Sequence, residues 1–291
     1  MVRPSPLLLA LGALVTAAVA CAPVNDTTKD AATVGGSPSA AACTKDALTL
    51  KTPGKLTVGT DKPAYDPWFK DDDPSNGQGF ESAVTYAVAR ELGFAKEAVE
   101  WVTVPFDVSF APGAKKFDFD VNQVSITPER AKVVAFSDGY YTVKQAVVTV
   151  EGSKIAGVSD IAGLKDAVVG VQVGTTSLQA VQDVIKPSKQ PKIFSQQVDV
   201  VNALKNKQVE AIVVDLPTAF YVTAAQVDKS KIVGQFGSGG GTAEEFGLVF
   251  EKGNALAACV DQAIGRLKSS GELEKIEKEW LGSAVGAPEL T

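Results

Sequence analysis

Ser125-Ile126-Thr127-Pro128-Glu129-Arg130 is the stretch on which the reading of this chain turns. Phe119 to Ile126 reads as a strand, and Thr127 followed by Pro128 reads as a helix N-cap and first helical residue. A helix that opens directly off a strand presents free N–H groups and the positive end of its dipole, which suits an anion. Arg130 falls in the first turn, where a positive side chain disfavours the helix. The placement makes sense if the guanidinium grips a carboxylate through two parallel hydrogen bonds. The plain alternative is a solvated arginine paired with Glu129 or Asp138.

Outward from this turn the chain alternates short β-branched runs with amphipathic stretches, the pattern of an α/β protein. Leu56–Thr60 reads as a strand. Phe80, Ala83, Val84, Ala87, Val88 and Leu92 recur at helical spacing, with Gly93 placed to close the helix. Glu100–Val104 is the next strand. A second set follows: the strand Val168–Val173, a turn Gly174-Thr175-Thr176-Ser177 opening a helix through Leu178, Val181, Val184 and Ile185, and a helix N-capped by Asp199. The strand Val209–Val214 ends at Asp215, and Gly247–Phe250 is a further strand. Two helices close the chain, one holding Leu256, Val260, Ile264 and Leu267, the other spanning Glu272–Trp280. Two such units, joined through 141–150 and 242–250, predict two lobes with a cleft between. Ligands of open α/β sheets gather outside the carboxyl ends of strands. The turns at Thr127 and Thr175 favour anions and Asp215 favours a cation, so together they suit a zwitterion.

Composition narrows the chemistry. The 291 residues contain no histidine, which removes imidazole acid–base catalysis and every Ser-His-Asp or Cys-His triad. A net charge of −6 argues against nucleic acid as partner, since phosphate binding needs a basic face. The N-terminus carries Arg3, then an apolar run from Leu7 to Ala20, too short to span a bilayer but fitting a signal peptide over residues 1–20. Ala18-Val19-Ala20-Cys21 resembles a bacterial lipobox, with Ala where Leu is usual; the resemblance implies lipidation of Cys21. Residues 21–42 hold too few large aliphatics to fold and read as a tether. Export leaves Cys43 and Cys259 in an oxidising compartment, either as two buried thiols or, as expected, as a disulfide across the folded region.

Leu56-Thr57-Val58-Gly59-Thr60-Asp61, Ser125–Arg130, Phe136-Ser137-Asp138-Gly139-Tyr140-Tyr141 and Val169-Gly170-Val171-Gln172-Val173-Gly174-Thr175 resemble the polar amino-acid-binding proteins of bacterial ABC importers. The likeness covers about residues 55–282. It implies a two-lobed type II periplasmic binding protein fold with a two-stranded hinge and an inter-lobe ligand cleft. Lobe 1 would comprise 43–142 plus 246–291, and lobe 2 would comprise 143–245. Carried over by resemblance, Arg130 clamps the ligand α-carboxylate with Ser125 and the backbone of Thr176, and Asp215 takes the α-ammonium. Tyr65 and Phe106 sandwich the side chain, whose far end meets Asp61 and Gln172. Asn122-Gln123 replaces a small residue and glycine, so Gln123 brings an extra amide to the pocket. Lys70-Asp71-Asp72-Asp73-Pro74 is an acidic insertion without EF-hand ligand spacing, read as a solvated loop.

The expectation is a monomeric, non-enzymatic lipoprotein without cofactor or metal. It captures an L-amino acid by hinge closure and delivers it to ABC importer permease subunits, held at the membrane by its lipid. One acidic group and two amides, with no cation beyond Arg130, favour glutamine, asparagine or a basic amino acid. The alternatives are a sensor lipoprotein signalling to a membrane kinase, and a prephenate- or arogenate-type dehydratase on the same fold. A dehydratase needs a general acid at Asp61 or Asp215. Neighbours favouring ionisation of these groups are expected to oppose that role.

Overall fold

The structure, a computed structural model, describes residues 43–239, 243–282 and 286–291. The expected signal peptide, Cys21 and the tether lie outside the described residues. Strand β1 (Leu56–Thr60) is buried along its whole length, as the centre of a sheet must be. It leads to α1 (Phe80–Glu91), whose buried face carries Phe80, Val84, Ala87 and Val88 at helical spacing. Gly79 caps this helix at φ 94°, and a Cβ there would meet the Trp68 carbonyl at 2.5 Å, so only glycine fits. The chain continues through β2 (Val99–Thr103), α2 (Phe106–Ser109), β3 (Phe119–Asp120), α3 (Pro128–Ala131) and β4 (Val134–Phe136). Strand β5 (Tyr141–Val143) then leads out of the first lobe.

The second lobe holds β6 (Gln145–Val150), β7 (Val169–Gln172), α4 (Thr176–Ala180), β8 (Lys192–Phe194), α5 (Gln197–Lys205), β9 (Ala211–Asp215), α6 (Leu216–Tyr221) and β10 (Ser230–Phe236). The chain returns through β11 (Glu244–Phe246) and β12 (Val249–Glu251) and ends in α7 (Leu256–Ser269) and α8 (Glu272–Leu281). The first sheet runs β2-β1-β3-β12-β4, and the second runs β10-β6-β9-β7-β8. Strands β1, β2 and β3 are parallel, as α1-type crossovers require, and β12 returns antiparallel between β3 and β4. Strands β5 and β11 form a separate antiparallel pair, the two-stranded hinge, with Val143 opposite Glu244 and Tyr141 opposite Phe246. Tyr141 and Phe246 of this pair pack on Trp68 and Phe80: Tyr141 meets Phe80 and Trp68 edge to face at centroid distances of 5.3 and 5.7 Å and lies tilted against Phe246 at 5.8 Å.

Cys43 and Cys259 form a disulfide across a separation of 216 residues, which ties the start of the described chain to α7. Three sequence expectations are corrected. The strand expected over Phe119–Ile126 is regular only at Phe119–Asp120, because the chain then turns into the cleft with Gln123 at a left-handed φ of 48°. Asp199 is not an N-cap: α5 starts at Gln197 after Gln196, and Asp199 sits in the first turn, where its charge still complements the helix dipole. The segment 286–291, assigned with lobe 1, lies instead along β10. Gln235 N donates to Pro288 O (2.8 Å), Leu290 N donates to Gln235 O (2.9 Å), and Leu290 is buried among lobe 2 side chains. Gly234 makes the room, since a Cβ there would stand 2.6 Å from Leu290 Cγ. Periodicity could not reveal this pairing, which depends on a missing side chain in a distant strand.

Candidate functional site

Between the lobes lies a cavity of about 740 Å³, its solvent mouth included. The first lobe lines it with Asp61, Tyr65, Phe106, Gln123, Ser125 and Arg130, and the second with Gln172, Thr176 and Asp215. The lobes also touch directly across it: Trp68 Nε1 donates to Thr218 Oγ1 at 3.0 Å, and Arg130 Nη2 donates to Gly174 O at 2.8 Å.

Arg130 owes its position to the turn from which the sequence argument began. Thr127 Oγ1 accepts the Arg130 backbone N–H at 3.2 Å, and Pro128 fixes the first helical residue of α3. The guanidinium donates through Nη1 to Ser125 O (2.7 Å) and lies 4.3 Å from the Phe110 ring and 5.7 Å from the Phe106 ring. Its pairing is thus neither with Glu129 nor with Asp138. Burial lowers its pKa to about 10, opposed by the negative charges of Glu244 and Asp215, so it stays cationic at neutral pH. Guanidinium carries five N–H donors, of which two serve these carbonyls, leaving donors for an anion in the cleft.

Asp215 ends β9 and begins α6, yet its side chain makes no cap bond there. It accepts instead from Gln145 Nε2 at 2.9 Å. Burial raises its pKa to about 8, with the Glu244 charge adding and the Gln145 hydrogen bond and Arg130 opposing. Gln145 and Arg130 favour ionisation, as expected of neighbours, but burial and the charges of Glu244 and Glu81 outweigh them and hold the carboxyl above the usual carboxylate range.

The far end of the cavity is built from amides. The backbone N–H of Gln123 donates to Glu81 Oε1 at 2.7 Å and its side-chain amide donates to Glu81 Oε2, so a buried carboxylate holds Gln123 in its left-handed turn. Burial lifts Glu81 to about 7, against hydrogen bonds from Tyr140 and Gln123. Asn122 also lines the cavity, and its buried Nδ2 has no partner among the described residues. Gln172 donates to Ser195 O at 3.4 Å. Asp61 accepts from Lys62 N at 2.7 Å and Phe106 N at 3.3 Å, while burial raises its pKa.

Sequence reasoning missed several lining residues. Lys62 is a second cation at the cavity, its Nζ 3.4 Å from Asp72 Oδ2. Trp68, Ser177, Gln196 and Gln197 also face the space. Behind the wall, Gln145 and Glu244 connect the hinge to the site. Ser125 Oγ donates to Glu244 Oε1 (2.6 Å), and Ser177 Oγ donates to Gln145 Oε1 (2.5 Å). A polar residue in a buried strand was the available signal for Gln145; Glu244 had none. In the acidic insertion Asp72 accepts from Ala64 N and Asp73 caps Ser75. Among the described residues no group of three or more acidic or cysteine side chains is placed to hold a metal ion.

The model of the bacterial extracellular solute-binding proteins, family 3, matches residues 56–283. The arginine-binding extracellular protein ArtP of Bacillus subtilis (strain 168) is 27% identical over 236 residues, covering 78% of this chain and 86% of its own. The ABC transporter glutamine-binding protein GlnH of the same organism is 28% identical over 214 residues, covering 72% and 75%. The solved structure of an ancestral arginine-binding protein bound to glutamine is 32% identical with a TM-score of 0.66, over 79% of this chain and 99% of that one. Since the match runs from the first strand to the last helix and takes in both walls of the cleft, the chain belongs to the bacterial extracellular solute-binding proteins, family 3.

Proposed function

We propose that this protein captures a free L-amino acid between its lobes and delivers it to an ABC importer. The carrying observation is that Arg130 from the first lobe and Asp215 from the second line one cavity, which complements the two charges of an α-amino acid. Arg130 takes the α-carboxylate with the backbone of Thr176, and Asp215 takes the α-ammonium; the Ser125 hydroxyl, expected to help hold the carboxylate, donates to Glu244 instead. Tyr65 and Phe106 flank the side chain. Asp61, Gln123 and Gln172 face its end and favour an amide or a cation, glutamine first. The relatives named for arginine and for glutamine support that choice. The two lobes close on the β5–β11 hinge, and the closed outline is what the permease recognises. The chain acts as a monomer on the outer face of the cell membrane, held there by lipid on Cys21.

A thermal-shift screen against the twenty amino acids tests this reading. A ligand at a hundredfold excess over its Kd adds about 2.7 kcal/mol of stability, and no shift with any of them overturns the proposal. The raised pKa of Asp215 favours one second reading, a dehydratase on the same fold with Asp215 as general acid. Chromatography of prephenate and arogenate after incubation decides between the two, since any product formed supports the enzyme.

A further inference from the structure

The hydrogen-bond directions around the hinge carry an assignment beyond the ligand contacts above. A serine hydroxyl has one proton and a carboxylate only accepts. With Ser125 Oγ at 2.6 Å from Glu244 Oε1, that proton belongs to Glu244. The 3.3 Å contact between Ser125 Oγ and Thr176 Oγ1 then has Thr176 as donor. Gln145, fully buried, is fixed in the same way. Its Oε1 takes the Ser177 hydroxyl, so its NH₂ group donates to Asp215 Oδ1 (2.9 Å) and to Glu244 Oε2 (3.3 Å). Glu244 thus uses one oxygen for a side chain of the first lobe and the other for a side chain of the second. It stands on β11, opposite Val143 in the hinge.

The geometry points to Glu244 as the positioning residue of the amino-acid site. From the hinge it accepts a hydrogen bond from Ser125 on one lobe and from Gln145 on the other, which turns the free lone pairs of Ser125 Oγ and the Asp215 carboxylate toward a primary ammonium. This rests on the amino-acid reading above and deepens it: the amino group of the ligand becomes obligatory. A carboxylic acid that lacks the amine brings no donor to Ser125 Oγ or Asp215. An amide cannot replace Glu244, because it accepts at one end only and would set its own NH₂ against a donor at the other. An aspartate keeps the charge but is one methylene short of spanning both partners.

Calorimetry with L-glutamine and L-arginine as probes tests the assignment in wild type, E244Q, E244D, S125A and the E244Q/S125A pair. Glutaramate, which is glutamine without its amino group, serves as the control ligand. Measured above about pH 8, E244Q and S125A each weaken binding about tenfold or more, the size of one charge-assisted hydrogen bond. The double variant loses little beyond the worse single variant, because both act through one hydroxyl. Glutaramate does not bind wild type.

The second readout is the pH profile. The titratable and charged groups facing Asp215 are Glu244 on β11, Arg130 on α3, Glu81 on α1 and the phenols of Tyr140 and Tyr141, with Gln145 on β6 as its hydrogen-bond donor. Removing the Glu244 charge in E244Q moves the fall in affinity to lower pH, whereas E244D weakens binding and keeps the wild-type profile. A purely structural role moves neither profile. An E244Q affinity within twofold of wild type, full additivity in the double variant, an unmoved E244Q profile, or tight glutaramate binding each overturns the assignment while the amino-acid reading stands. Failure of wild type to bind any amino acid overturns both.

Discussion

Two pairs of carboxylates lie in this protein's interior, one fully buried and one half-buried at the cleft, and they differ in what they face. Glu81 and Asp120 lie inside the first lobe, both fully buried. Asp215 lines the cleft, and Gln145 links it to Glu244 behind the wall. Desolvation raises Glu81, Asp120 and Asp215 alike. Glu81 is committed to Tyr140 and Gln123, and both oxygens of Asp120 lack a partner among the described residues. Asp215 alone of the three borders the cavity, which Arg130 also lines. Burial by itself therefore says little about function. A buried acid becomes a binding group when an incoming cation can restore its charge, and it remains a cost to stability when nothing can.

The largest effect that separates the two sets is in binding. Asp215→Asn should cost about 3–5 kcal/mol of affinity for L-glutamine or L-arginine by calorimetry, since it strands a buried ammonium. Its melting temperature should hold or rise. Asp120→Asn should leave affinity within about twofold, and a large loss there would erase the contrast.

The next effect is on stability. Glu81 rises from 4.5 to about 7 on folding, so its contribution is full below pH 4.5 and is lost as pH climbs through 7. Melting curves across that window should fall less steeply in Glu81→Gln, with a difference of a few kcal/mol by pH 7. An unchanged slope would show that Glu81 titrates as an exposed acid does.

Binding itself should release protons. Burial lifts the Asp215 pKa to about 8, and the group must ionise to receive an ammonium, so affinity should rise with pH up to about 8. Below that it should weaken about tenfold per pH unit, and calorimetry in buffers of different ionisation enthalpy should count close to one proton released. The smallest expected effect lies far from both sets. Gly234→Ala, which drives a Cβ into Leu290 and Pro288, should cost about 1–3 kcal/mol in a denaturant melt and leave binding unchanged.

Much of the cleft was legible because its groups ride on local signals. Thr127-Pro128 announces α3 and so places Arg130, and the turn at Gly174–Ser177 places Thr176 at the start of α4. Asp215 is marked by the end of its strand. Gln145, Ser177 and Glu244 were not legible as a network. Gln145 and Ser177 are 32 residues apart, and Ser125 and Glu244 are 119 apart, beyond the reach of any helical or strand period. The truncation of β3 was hidden for a similar reason: Gln123 leaves the extended conformation because Glu81, on another element, holds its amide.

By itself the sequence determined the alternation of strands and helices, the cleft-facing turns, the absence of imidazole chemistry and the family resemblance, because propensity, capping and periodicity are local properties of the chain. Only the tertiary structure decided which charges are buried, that burial raises the Asp215 pKa, that Glu244 serves both lobes, and that the last residues pair with β10. Those outcomes depend on desolvation and on contacts between distant segments, and both exist only once the chain has folded.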